Sequence, residues 1–95
     1  MSADGSVQQR DLPITNKRGL HARASAKFVQ TVESFPETEV EVTKDNQTVC
    51  GTSIMGLMML AASIGTSIHV TTRGPRAAEA MAAIAHLVES RFHEE

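Results

Sequence analysis

Gly19-Leu20-His21-Ala22-Arg23-Ala24-Ser25 is the stretch that decides how this 95-residue chain is read. It lies where a strand and loop give way to a helical pattern, and it places one histidine at that junction with an arginine two residues on. The N–H groups of a first helical turn have no intrahelical acceptor, and the helix dipole adds partial positive charge there. An anion attached to the His21 ring would therefore meet ready-made donors. Arg23 can add a charge-assisted contact, and a neutral imidazole nitrogen is a competent nucleophile. His21 thus reads as a histidine able to carry a phosphoryl group. Spacing alone fits an ordinary polar residue at an exposed helix end better, so the rest of the chain must carry the case.

Outward from this stretch, the pattern gives a β-α-β-β-α-β-α order. Residues from Gln8 to Thr15 read as a first strand, and Pro13 argues for a sheet edge, where a missing N–H breaks no ladder bond. From Ala22, the residues Ala24, Ser25, Phe28, Val29 and Val32 form one stripe that Phe35-Pro36 stops. Val40 and Val42 alternate with Glu41 and Thr43, then Asp45-Asn46 turn the chain into Thr48-Val49-Cys50, which predicts a hairpin. A short helix begins at Ser53 and exits at Gly65-Thr66. Ile68 and Val70 then alternate in a last strand, and Gly74-Pro75 opens a final helix whose buried face is Ala77, Met81, Ile84, Val88 and Phe92. The fold class that follows is a two-layer α/β (α+β) open-faced sandwich, with an antiparallel four-stranded sheet covered by three helices on one face.

Composition bounds the function. With 41% hydrophobic residues and three aromatics, the chain fits one domain with a modest aliphatic and methionine core. The expected organisation is a flexible N-terminal extension over 1–7, one domain over 8–92 and a C-terminal tail over 93–95. The one cysteine, Cys50, rules out an internal disulfide, and reads as a small buried hydrophobe in a reducing, cytoplasmic setting. No run of roughly 20 apolar residues offers a membrane span. A formal charge of −2 without Trp or Tyr argues against nucleic acid as a partner. His69, His86 and His93 share no ligand spacing with one another, so no metal site is expected. Glu37-Glu39-Glu41 and His93-Glu94-Glu95 read as solvated surface.

Two blocks together carry a family resemblance. The stretch around His21, continued by Phe28-Val29, resembles the active-site signature of the HPr family, the histidine-containing phosphocarriers of the bacterial phosphoenolpyruvate-dependent phosphotransferase system. About thirty residues downstream, Ser53-Ile54-Met55-Gly56-Leu57-Met58-Met59-Leu60 is similar to that family's regulatory-serine segment. The chain departs from many relatives at Thr52, where lysine is usual, and at Ala24, where proline is usual.

The resemblance implies strand order 1-4-2-3 and a monomer that is a phosphoryl carrier, not an enzyme. It accepts phosphate from enzyme I as an Nδ1-phosphohistidine at His21 and donates it to enzyme IIA, with Arg23 assisting. It also implies regulatory phosphorylation at Ser53 by an HPr kinase/phosphorylase; independently of that role, Ser53 suits a helix N-cap. No nucleotide loop or metal cluster is present, so no cofactor is implied. Three methionines are too many for one short helix to hide. If Ile54, Leu57 and Leu60 face the sheet, then Met55 and Met58 or Met59 point outward as adaptable apolar contacts. With Arg18, Ala22, Arg23 and Lys27 they form the expected partner-binding face. Four readings stay open: the sugar-transport branch, a nitrogen-related regulatory branch, a small effector whose contacts switch on modification at His21 or Ser53, and a ligand-binding α/β domain of the regulatory ferredoxin-like type.

Overall fold

Pro13 closes an outer strand whose free edge has no donor to lose. In the computed structural model, which describes residues 6–94, β1 (Val7–Pro13) pairs antiparallel with β4 (Ser67–Arg73), from Val7↔Arg73 to Pro13↔Ser67. Its other side is unpaired, because the four strands run in the order β1-β4-β2-β3. The remaining elements are α1 (Ala22–Glu33), β2 (Glu39–Lys44), β3 (Gln47–Cys50), α2 (Ile54–Met59) and α3 (Ala77–Glu89), followed by a 3-10 turn over Arg91–His93.

The β2–β3 hairpin turns through Asp45 (φ 51°) and Asn46 (φ 68°), the left-handed pair that a two-residue hairpin loop demands. The three helices cover one face of the sheet. Leu12, Val40, Val42, Ile68 and Val70 point inward from the strands and meet Phe28, Leu57, Ile84 and Val88 from the helices. On the open face the alternation is polar: His69 shares hydrogen bonds with Asp11 (2.7 Å) and Gln9 (3.1 Å) of the neighbouring strand.

Several boundaries differ from the sequence reading. The β1 ladder covers Val7–Pro13 instead of Gln8–Thr15, since Ile14 leaves it to bond the loop at Thr66 and Gly65. Val7 is therefore part of the sheet and not of an extension, and Ser6 accepts from the Gly74 N–H; residues 1–5 of the expected extension lie outside the described residues. The last helix starts at Ala77, not at Gly74-Pro75. Gly74 (φ 124°) takes a conformation closed to other residues, and Ala77 N–H bonds its carbonyl in a turn, so the helical ladder begins only with Ala80 N–H on Arg76. Arg76 instead lies over the Phe35 ring, 4.7 Å from its centroid.

The far end departs further. Phe92 is buried as expected but does not continue α3. Arg91, Phe92 and His93 have φ of 58°, 55° and 57°, and this left-handed turn folds Phe92 back into the core. The expected tail over 93–95 is thus packed as far as Glu94; Glu95 lies outside the described residues. Cys50 is exposed where a buried side chain was expected. It lies on β3, an edge strand that is exposed at Gln47 and Thr48 as well and only half-buried at Val49.

Candidate functional site

Gly19 anchors the loop that presents the histidine. At φ 61° it sits so close to the segment after α2 that a Cβ would come 2.2 Å from the Ala62 carbonyl oxygen, and Leu20 N–H bonds that same oxygen at 2.9 Å. From inside, the wholly buried Asn16 donates through Nδ2 to the Gly19 carbonyl at 3.0 Å. Ser25 closes the far side, its hydroxyl donating to the Leu20 carbonyl and its N–H to the His21 carbonyl. The loop is held on three sides, and His21 emerges as the N-cap of α1 with an extended backbone.

Both ring nitrogens of His21 have partners. Nδ1 accepts from the Arg23 backbone N–H at 3.3 Å, in the way a capping side chain does. Nε2 faces the Glu94 carboxylate, whose other oxygen accepts from Asn16 Nδ2 at 3.1 Å. Burial pushes the Glu94 carboxyl up, but the hydrogen bonds from Asn16 and His21, with the charges of His21 and Lys27, outweigh it and hold the group below the usual carboxylate range. An ionised carboxylate only accepts, so the proton between them belongs to Nε2, and in the neutral ring Nδ1 keeps its lone pair toward the Arg23 amide.

Beside the ring opens a cleft of about 340 Å³ lined by Lys17, Arg18, Arg23, Lys27, His93 and Glu94. Four cationic side chains around one carboxylate give it an excess of positive charge suited to an anion. Arg18 and Arg23 stand there exposed, as expected, and Ala22 is exposed in the first turn of α1. Lys27 is partly engaged within the molecule: Nζ donates to the Phe92 carbonyl at 2.6 Å. Glu94 corrects the reading of His93-Glu94-Glu95 as solvated surface. Neither it nor Asn16 nor Lys17 stood out in the sequence, because 73 residues separate Glu94 from His21.

The second block lies on α2, which packs beside α1. Ser53 is its N-cap, the hydroxyl accepting from Gly56 N–H at 2.9 Å. Leu57 and Leu60 are buried, while Met55 (72%), Met58 (42%) and Met59 (70%) are exposed. Ile54, expected to face the sheet, is 41% exposed. Three residues at about 100° each leave it roughly 60° round the helix from Leu57, enough to turn it off the packed line. Together with Ile64 in the loop that follows, Ile54 and the three methionines are exposed large apolar side chains. Among the described residues no cluster of three or more metal-ligating side chains occurs, and no helix is long and apolar enough to cross a membrane.

Residues 8–90 match the family model described as the PTS HPr component phosphorylation site. The chain is 52% identical over 86 residues to the phosphocarrier protein HPr of Neisseria meningitidis serogroup A, covering 90% of this chain and 96% of that protein. It is 48% identical, again over 86 residues with the same coverage, to the phosphocarrier protein HPr of Cupriavidus necator. Among solved structures it matches HPr-C-His from Thermoanaerobacter tengcongensis with a TM-score of 0.87 and 42% identity, over 93% of this chain and 98% of that one.

Proposed function

This chain belongs to the HPr family of phosphotransferase-system phosphocarriers, and on that premise we propose that it accepts a phosphoryl group from enzyme I on Nδ1 of His21 and passes it to an enzyme IIA protein. The observation that carries this reading is the state of the ring: Nδ1 is unprotonated at the head of α1, its lone pair held only by a long bond from the Arg23 amide, beside a cationic cleft. That lone pair forms the new N–P bond while the bond from phosphorus to the donor's histidine nitrogen breaks and its electron pair returns to that nitrogen. The Nε2 proton stays where it is. Once Nδ1 is bonded to phosphorus it no longer accepts from the Arg23 amide, which becomes free to donate to a phosphoryl oxygen. The Arg23 guanidinium supplies charge at the same point. Return of the group to a second histidine reverses each step, so the protein carries and does not catalyse.

The exposed surface around Met55, Met58 and Met59 supports a docking role, because flexible thioether side chains can repack against both a donor and an acceptor. Arg18 and Lys27, which line the cleft beside His21, add positive charge suited to acidic partners. Ser53 is the regulatory site in this reading, modified by an HPr kinase/phosphorylase, and the whole exchange takes place in the cytoplasm. The test is incubation with phosphoenolpyruvate and enzyme I. An acid-labile phosphate is expected on the wild-type protein and none on His21→Ala, with the circular dichroism of the two unchanged. Undiminished acid-labile labelling of His21→Ala sinks the carrier reading.

A further inference from the structure

The C-terminal segment reaches His21 by a route that has to be enforced. Three successive non-glycine residues, Arg91, Phe92 and His93, adopt left-handed backbone, which is unfavourable for L-residues. Two anchors oppose that: the fully buried Phe92 ring, and Lys27 Nζ on the Phe92 carbonyl. Together they deliver Glu94 to the ring.

Asn16 then decides which way the contact is polarised. Its two neighbours, the Gly19 carbonyl and the Glu94 carboxylate, can only accept, so its NH₂ must face both, and its Oδ1 has no partner among the described residues. With Asn16 donating to one carboxylate oxygen, the other is aimed at Nε2. We propose that Asn16 and Glu94 are positioning residues that hold His21 in its Nε2–H tautomer, so that the C-terminal segment governs the reactivity of Nδ1. A carboxylate that fixes an imidazole tautomer is a known way of readying the opposite nitrogen for chemistry.

The inference about rates rests on the carrier reading; the inference about the tautomer does not. It is tested first on the unphosphorylated protein, by ring ¹⁵N shifts of His21 at alkaline pH, in the wild type, Glu94→Ala and Glu94→Gln. The wild type is expected to show a protonated Nε2 and a bare Nδ1. Glu94→Ala moves both nitrogens toward averaged values. Glu94→Gln moves them further, toward Nδ1–H, because Asn16 keeps its donor turned to residue 94, which draws the amide oxygen to Asn16 and leaves the NH₂ facing Nε2.

Phosphorylation by enzyme I and phosphoenolpyruvate should slow in the same order, by at least about tenfold for Glu94→Gln. Wild-type shifts retained in both variants overturn the proposal. If the shifts move as expected but the wild type takes no phosphate, positioning stands and the carrier reading fails. Phosphorylation of the wild type with unmoved shifts gives the opposite result.

Discussion

Glu94 stays ionised in the fold because Asn16 and His21 both donate to it, and that has a pH signature. Its carboxyl titrates lower in the folded chain than in the unfolded one, so across that interval the unfolded chain binds more protons and stability rises with pH. The contribution is complete above the unfolded carboxyl value of about 4.3 and is lost as pH falls through the folded value. The difference in melting temperature between wild type and Glu94→Ala should therefore be present at about pH 5 and close in more acid solution. A gap independent of pH would mean that the carboxylate contributes nothing through its charge. Gly19 shows the complementary case, a residue whose identity was legible but whose reason was not. The signature contains it, yet only the 2.2 Å approach to the Ala62 carbonyl explains why no side chain fits there.

At the scale of elements, α1 was readable because its five buried residues repeat at helical spacing and a cap and a proline bound it. The six-residue α2 was half readable. Ser53 was foreseen as its cap, but a helix this short gives periodicity too little length to place Ile54. The cap allows two effects to be separated. Ser53→Ala loses the bond to Gly56 N–H and should cost about 1 kcal/mol, roughly 4–8 °C in a domain of this size. Ser53→Asp keeps the cap and should hold its melting temperature, yet slow phosphorylation by enzyme I at low salt, with recovery as ionic strength rises. Equal rates for the two variants at every salt concentration would leave Ser53 as a cap only. The late start of α3 has a local cause as well: a proline reads as a first helical residue, but here the Gly74 backbone makes it part of a turn.

Over the whole molecule, the C-terminus is where local pattern and final structure separate most. Phe92 fits the helical stripe of α3 and is buried, but it reaches the core through a left-handed reversal that no periodicity describes. Because that one ring anchors the segment bearing Glu94, Phe92→Ala should cost about 3–5 kcal/mol in denaturant titration and bring the His21 ring nitrogens toward averaged ¹⁵N shifts. Loss of stability with unchanged ring shifts would show that Glu94 reaches His21 without the anchor. The order of elements, the buried faces of the long helix and strands, the hairpin turn and the place of His21 at a helix start were determined by the sequence alone, because each rests on neighbours within a few residues: alternation, helical spacing, a cap, a left-handed pair. The network on the Nε2 side of His21 was decided only by tertiary structure. Asn16, Lys27 and Glu94 come from the loop before α1, the body of α1 and the end of the chain, and they meet because a buried phenylalanine outweighs three unfavourable backbone conformations.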